Sequence, residues 1–149
     1  MDEKTLGEIY AVMNELQIIN QLWASEMRHV LPGDLTLAQF SVLNWFSRVD
    51  DAASPGRLTR AFQVTKGAMT NTLRRLDDAG LVEISPDPSS GRQKIVRRTR
   101  KGARLRESAI KNTFGNLEEL GESLDAKRLI RILPVLRSLR RDLDGRRDV

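Results

Sequence analysis

With 149 residues, no cysteine and a single histidine, the chain is long enough for one ordinary core and cramped for two. The missing thiols exclude disulfide frameworks and thiolate metal sites, and one histidine without cysteine leaves no nucleophile–base set for an enzyme. The net charge of +5 is unevenly placed: residues 1–54 carry three basic and eight acidic side chains, residues 55–107 thirteen and five, and residues 108–149 nine and seven. A cationic middle suits a surface that meets phosphates and releases counterions. No run of about 18 apolar residues marks a membrane span. The acidic, amphipathic start is unlike a signal peptide, so a cytoplasmic protein is expected.

Leu6, Ile9, Tyr10, Met13, Leu16, Ile19, Trp23, Met27 and Val30 recur at spacings of three and four. This predicts a long helix from about Thr5 to Leu31, stopped by Pro32-Gly33. A helix of that length cannot bury its stripe on a small domain alone, so a partner helix is implied. Thr36, with Gln39 three residues on, reads as a capping box. It opens a second helix burying Leu37, Phe40, Leu43, Trp45 or Phe46, and Val49. A loop over residues 50–53 leads to Ser54-Pro55, an N-cap with proline at the first helical position, and a short helix to about Phe62. Gln63 and Val64 form a turn. Thr65 caps a fourth helix over about Lys66–Ala79, and Gly80 ends it in a left-handed conformation.

In the fourth helix Met69, Leu73 and Leu76 fall on one face and must point inward. Thr70, Asn71 and Arg74 therefore point outward, with Lys66 and Gly67 at the first turn and Arg75 beside them. Thr and Asn hydrogen-bond base edges or phosphates, and Arg forks onto guanine. The same pattern also fits a plain amphipathic helix with a solvated face. Next come two hairpin arms, about Leu81–Ile84 and Lys94–Arg98, around a turn-rich tip at residues 87–91. Arg92 is expected at the tip, near Ser90, with Lys94, Arg97 and Arg98 behind it. Such a ribbon is expected to bury almost nothing, which makes a minor-groove or backbone contact the sharper explanation of its cations.

After Thr99 the helical pattern returns with Leu105, Ala109, Ile110, Phe114, Leu117, Leu120 and Leu124, and Gly115 and Gly121 predict a bend or break before Asp125. A last helix carries Leu129, Ile132, Leu133, Leu136, Leu139 and Leu143, disturbed at Pro134. Arg140, Arg141, Arg146 and Arg147 end the chain as a solvated helix end or a further phosphate patch. The fold class is mainly α with a small β-hairpin wing: helix-turn-helix, then a basic ribbon.

The order of elements and several motifs resemble the MarR family of multiple-antibiotic-resistance regulators. The run LRRLDDAGLVE at residues 73–83 is similar to the family's recognition-helix ending. Arg92, seven residues before Thr99 with Gly102 three further on, is similar to its wing arginine and following helix start; Leu35 to Phe40 matches its second helix. Two positions depart: Ser90 stands where the family has an acidic residue that helps orient the arginine, and Arg98 stands where it has leucine. The resemblance implies a homodimer whose residues 1–33 and 101–149 form a helical dimerisation region, with a winged helix-turn-helix lobe over residues 34–100. It also implies a pseudo-palindromic operator with half-sites about one helical turn apart. Family members are mostly repressors, some relieved by small anionic or phenolic ligands in a cleft between lobe and dimerisation region.

The expected site residues are Thr70, Asn71 and Arg74 on base edges, Lys66 and Arg75 on phosphate, and Ser90, Arg92 and Lys94 in the wing. Arg57 and Arg60 on the third helix are either backbone anchors or solvated side chains. Double-stranded DNA and a second copy are the expected partners, with no cofactor, no metal, no membrane and room for a small aromatic or anionic effector. Trp23, Met27, Trp45 and Phe46 either line an apolar cleft or pack the core, and His29 reads as a surface or packing residue. Two alternatives stand beside a sequence-specific regulator: a sequence-tolerant architectural DNA-binding protein and a winged-helix protein–protein module.

Overall fold

A computed structural model of the chain describes residues 1–121 and 124–146, with Arg92 described by its backbone alone. Asp2 accepts a hydrogen bond from the Thr5 amide at 2.8 Å and opens helix α1, Glu3–Val30. Only the last turns of α1 reach the core: Met27 is buried and Trp23 packs against the cluster, whereas Leu6, Ile9, Tyr10 and Ile19 stand exposed. The side-chain Nδ2 of Asn112 donates to the Val30 carbonyl at 3.0 Å, which satisfies one orphan acceptor at the helix end.

Helix α2, Leu37–Arg48, starts at the expected capping box: Thr36 Oγ1 accepts from the Gln39 amide at 3.2 Å, and Gln39 Oε1 accepts from the Thr36 amide at 2.8 Å. Phe40, Val42, Leu43 and Phe46 are buried, with Leu37 and Trp45 packed at the edge. Val49, expected inside, is 58% exposed because it is the C-cap residue, where the helix has already turned away from the core. The segment expected as a loop holds a short strand, β1, Ala52–Ala53. Two alanines carry no strand pattern of their own; pairing with the wing makes them a strand.

Ser54 caps helix α3, Pro55–Phe62, with proline in its first turn. Gln63 then takes a left-handed conformation at φ 52°, unusual for a non-glycine residue, and its side-chain amide donates to the Arg60 carbonyl at 3.1 Å. Helix α4, Lys66–Asp78, follows from its Thr65 cap, and Gly80 at φ +67° lets the chain reverse into the wing. Met69, Leu73 and Leu76 are buried as expected.

Strands β2, Val82–Asp87, and β3, Ser90–Arg98, form an antiparallel sheet with β1 in the order β1-β3-β2. Both arms are longer than expected, so the connecting turn is only Pro88-Ser89. Asp87 opposes Ser90, but Pro86 opposes Lys94, so residues 91–93 bulge from β3. Arg92 is thus in the bulge of a strand, not at the tip. Nor does the ribbon bury almost nothing: Val82 and Val96 at its root are 2% and 0% exposed. With Leu43, Phe46, Leu58, Leu73 and Leu76 they form the centre of the lobe's core. Each contributes roughly 1.5–3 kcal/mol by leaving water.

Helix α5, Arg100–Gly121, runs through Gly115 and ends at Gly121, where a break was expected. Helix α6, Ala126–Asp144, is capped by Asp125, whose Oδ1 accepts from the Arg128 amide at 3.0 Å, and it accommodates Pro134. The chain divides into two compact units, residues 1–113 and 114–149. In the second, no residue of α6 is buried. Leu129, Ile132, Leu133 and Leu143 stand exposed along one stripe. Of the C-terminal arginines, Arg141 lies in the last turn of α6, Arg146 just beyond it, and Arg147 outside the described residues.

Candidate nucleic-acid interface

Burying Met69, Leu73 and Leu76 turns the opposite face of α4 outward. Lys66, Thr70, Asn71, Arg74 and Arg75 are all exposed on that helix. Gly67 and Ala68 at its first turn are exposed and small, so backbone can approach a groove closely there. The Thr72 hydroxyl donates back to the Ala68 carbonyl at 3.0 Å. Arg74 donates to Asn71 Oδ1 at 3.2 Å and faces Asp78 at 3.5 Å.

The third-helix arginines separate. Arg60 is exposed. Arg57 is exposed too, but its guanidinium pairs with Asp50 and lies 5.1 Å from the Trp45 ring centre. That pair ties the start of α3 to the end of α2. The hydrogen bond from Arg57 holds the Asp50 carboxyl below its ordinary pKa, helped by the Ala52 amide. Because the folded pKa is depressed, the contribution is complete above about pH 4 and disappears as acid titrates Asp50 through its lower folded value. Asp50→Asn is expected to abolish this part of the acid dependence, read as tryptophan fluorescence between neutral pH and the acid transition. Identical acid profiles for the two proteins would remove the pair from that role.

In the wing, Asp87 organises the turn: its Oδ1 accepts from the Ser89 amide at 2.9 Å and from the Ser89 hydroxyl at 2.8 Å, and those bonds lower its pKa. Ser90 is half-buried opposite Asp87, and Lys94 is exposed opposite Pro86. Arg98, expected behind Arg92 with Lys94 and Arg97, donates to Ser47 Oγ on α2. The cleft residues resolve as packing: Met27 and Phe46 are buried, and Trp23 and Trp45 lie against them. His29 is exposed.

What holds α4 in place escaped the reading of the sequence. The Thr99 hydroxyl donates to the Gly80 carbonyl at 2.7 Å, and Lys101 Nζ donates to the Ala79 carbonyl at 2.7 Å. The Thr99 amide donates to the Leu81 carbonyl at 3.1 Å. Gly102 is buried so close that an added Cβ would stand 2.1 Å from the Leu81 carbonyl oxygen. The first turn of α5 is thereby clamped to the exposed carbonyls at the end of α4. A Thr-x-x-Gly spacing was the only sequence signal of it.

Over 122 residues, 80% of this chain and 84% of the other, the sequence is 32% identical to the multiple antibiotic resistance protein MarR of Escherichia coli (strain K12). The chain belongs to the MarR family. Residues 33–93 match the MarR family profile, a span holding α2, β1, α3, α4, β2 and the start of β3. The HTH-type transcriptional regulator YdgG of Bacillus subtilis (strain 168) is 29% identical over 100 residues, 66% of each chain. The crystal structure of a mutant E. coli MarR complexed with operator DNA is similar at TM-score 0.73 and 28% identity, covering 93% of this chain and 99% of that one. This MarR-family chain is therefore a DNA-binding winged-helix transcription regulator and not an enzyme. No described helix is long and apolar enough to cross a membrane.

Proposed function

We propose that the chain acts as a homodimeric, sequence-specific repressor. In this reading α4 enters the major groove, the wing lies beside it, and the two lobes meet half-sites of a pseudo-palindromic operator. The carrying observation is the outward face of α4, which offers Lys66, Thr70, Asn71, Arg74 and Arg75 together on a rigid element. Thr70, Asn71 and Arg74 read base edges; Lys66, Arg75 and Arg60 take phosphate; Ser90, Arg92 and Lys94 are the wing's contribution. Residues 34–100 form the reading lobe, and residues 1–33 and 101–149 the dimerisation region. The protein works in the cytoplasm.

Operator affinity is expected to fall steeply with salt, the slope of log K against log salt dropping by about 1 for each phosphate contact removed, as in Lys66→Ala. Arg92→Ala is expected to cost about 1–3 kcal/mol of operator binding in an anisotropy titration. A salt-independent wild-type affinity would reject the interface, and unchanged binding by Arg92→Ala would reject that residue alone. An acidic or neutral α4 face would have suited a protein–protein module, and this one is cationic. An architectural protein would recover no consensus from randomised DNA.

An effector has a fitting place in the cleft of about 280 Å³ lined by Pro32, Asp34, Leu35, Gln39, Leu81 and Lys101. Its size suits a single aromatic ring, and Lys101 supplies the cation for an anionic group. A carboxylate that captured Lys101 would draw it from the Ala79 carbonyl and uncap the recognition helix, which links ligand to release.

A further inference from the structure

Among the described residues, Gln63 alone combines a positive φ with a side chain; the other two such positions are Gly33 and Gly80. It ends α3 in a left-handed turn closed by two backbone bonds. The Gln63 amide donates to the Arg60 carbonyl at 3.3 Å, and the Val64 amide to the Thr59 carbonyl at 3.4 Å. Glycine makes both bonds and avoids the crowding of a Cβ at that φ, which is why it prevails in such turns. Inside the protein the Gln63 side chain offers little to offset that crowding. It is exposed, and its Nε2 donates at 3.1 Å to the Arg60 carbonyl, an acceptor that the backbone already serves. A backbone outlier that the protein's own contacts do not compensate calls for a contact outside it.

Its neighbours say what that contact can be. Arg60 and Lys66 stand three residues before and three after Gln63, both exposed, and neither forms an ion pair among the described residues. A carbonyl only accepts, so the Gln63 atom facing it is the nitrogen, which has a second hydrogen to give. Two unpaired cations around a neutral donor make a set that suits phosphate oxygens.

We propose that Gln63 is a DNA-positioning residue: with its amide nitrogen held at the Arg60 carbonyl, it donates the remaining hydrogen to a backbone phosphate and so fixes the turn that leads into α4. This rests on α4 being the DNA-reading helix.

Full-length wild type, Gln63→Gly and Gln63→Met are compared by chemical denaturation and by anisotropy titration at several salt concentrations. The probe is the duplex that the wild type selects from randomised DNA, and the selection is repeated with each variant. Methionine keeps the Cβ and the length of the side chain but donates nothing; glycine removes the crowding as well. Both variants are expected to bind about tenfold more weakly. Gln63→Gly should nevertheless unfold at a denaturant concentration equal to or above that of the wild type, and Gln63→Met close to it. The slope of log K against log salt should stay at its wild-type value, because a neutral donor displaces no counterion. The selected sequence should not change, because a phosphate carries no sequence. Undiminished binding by Gln63→Met would overturn the proposal, as would a loss confined to Gln63→Gly, which marks turn stiffness instead. A midpoint that falls in either variant would make the side chain a structural cap. A changed consensus would make it a base contact, and a lowered salt slope would move the loss to a cation; each of these overturns the proposal too. Failure of the wild type to select any sequence would instead overturn the specific-regulator reading beneath it, and the positioning role with it.

Discussion

Gly102→Ala is expected to lower the stability of the protein by about 3–5 kcal/mol, although alanine is the better helix former. The propensity gain is at most about 1 kcal/mol. Against it stands a Cβ placed 2.1 Å from the Leu81 carbonyl oxygen and 3.1 Å from Leu43 Cδ2. The first of these atoms is backbone and the second belongs to a fully buried side chain, so neither can swing aside. Overpacking of this kind costs about 1–3 kcal/mol, and moving α5 away also strains the bonds from Thr99 and Lys101 to the Leu81, Gly80 and Ala79 carbonyls at about 1 kcal/mol each. For a chain of this size the melting temperature should fall by roughly 10 °C. Chemical denaturation compares the two proteins directly. A midpoint equal to or above wild type would mean that α5 does not rest on the end of α4 as described.

That clamp marks where the sequence stopped being readable. Local chemistry located the helices well, because a cap is written in three or four neighbouring residues: Thr36 with Gln39, Ser54 with Pro55, and Thr65 before Lys66. The outward face of α4 was equally accessible, since three apolar positions at helical spacing determine what lies opposite. Contacts between distant residues were not. Arg98 and Ser47 are 51 positions apart and Arg106 and Asn44 62 apart, and nothing in either neighbourhood announces its partner. Arg57 reads in the sequence as an exposed cation, which it is, but nothing near it announces its pairing with Asp50 and its contact with Trp45.

The strands failed for a related reason. Ala52–Ala53 is a strand only because Val96 and Arg97 lie opposite, and the bulge at residues 91–93 displaces Arg92 from the tip that the turn residues suggested. A register shift is a property of two segments together and cannot be read from one. The candidate site was therefore legible in two grades: a helix whose outward face followed from its periodicity, and a wing whose existence was read but whose strand ends and register were not.

Ile132→Glu is expected to separate the proposed dimer and, with it, operator binding. Within residues 114–149 the stripe Leu129, Ile132, Leu133, Leu143 is left in solvent, and Ile132 is near its middle at 48% exposure. A helix keeps such a face only when something else covers it. The N-terminal part of α1 repeats the condition independently with Leu6, Ile9, Tyr10, Ile19 and Leu22. In the proposed dimer a second copy would supply matching stripes, and no residue of α6 is buried in the single chain. A carboxylate set into the covered stripe would have to be desolvated without a partner, which costs several kcal/mol and exceeds what one leucine-sized contact contributes. Sedimentation should then find single chains at micromolar concentration. Each lobe would hold its half-site alone, and the loss of linkage between the two should weaken operator binding by at least about 100-fold. Helicity should remain, because the substituted side chain is exposed in the single chain. A variant that stays dimeric would place the association surface elsewhere, and a monomeric variant with undiminished operator affinity would mean that one lobe suffices to read the site.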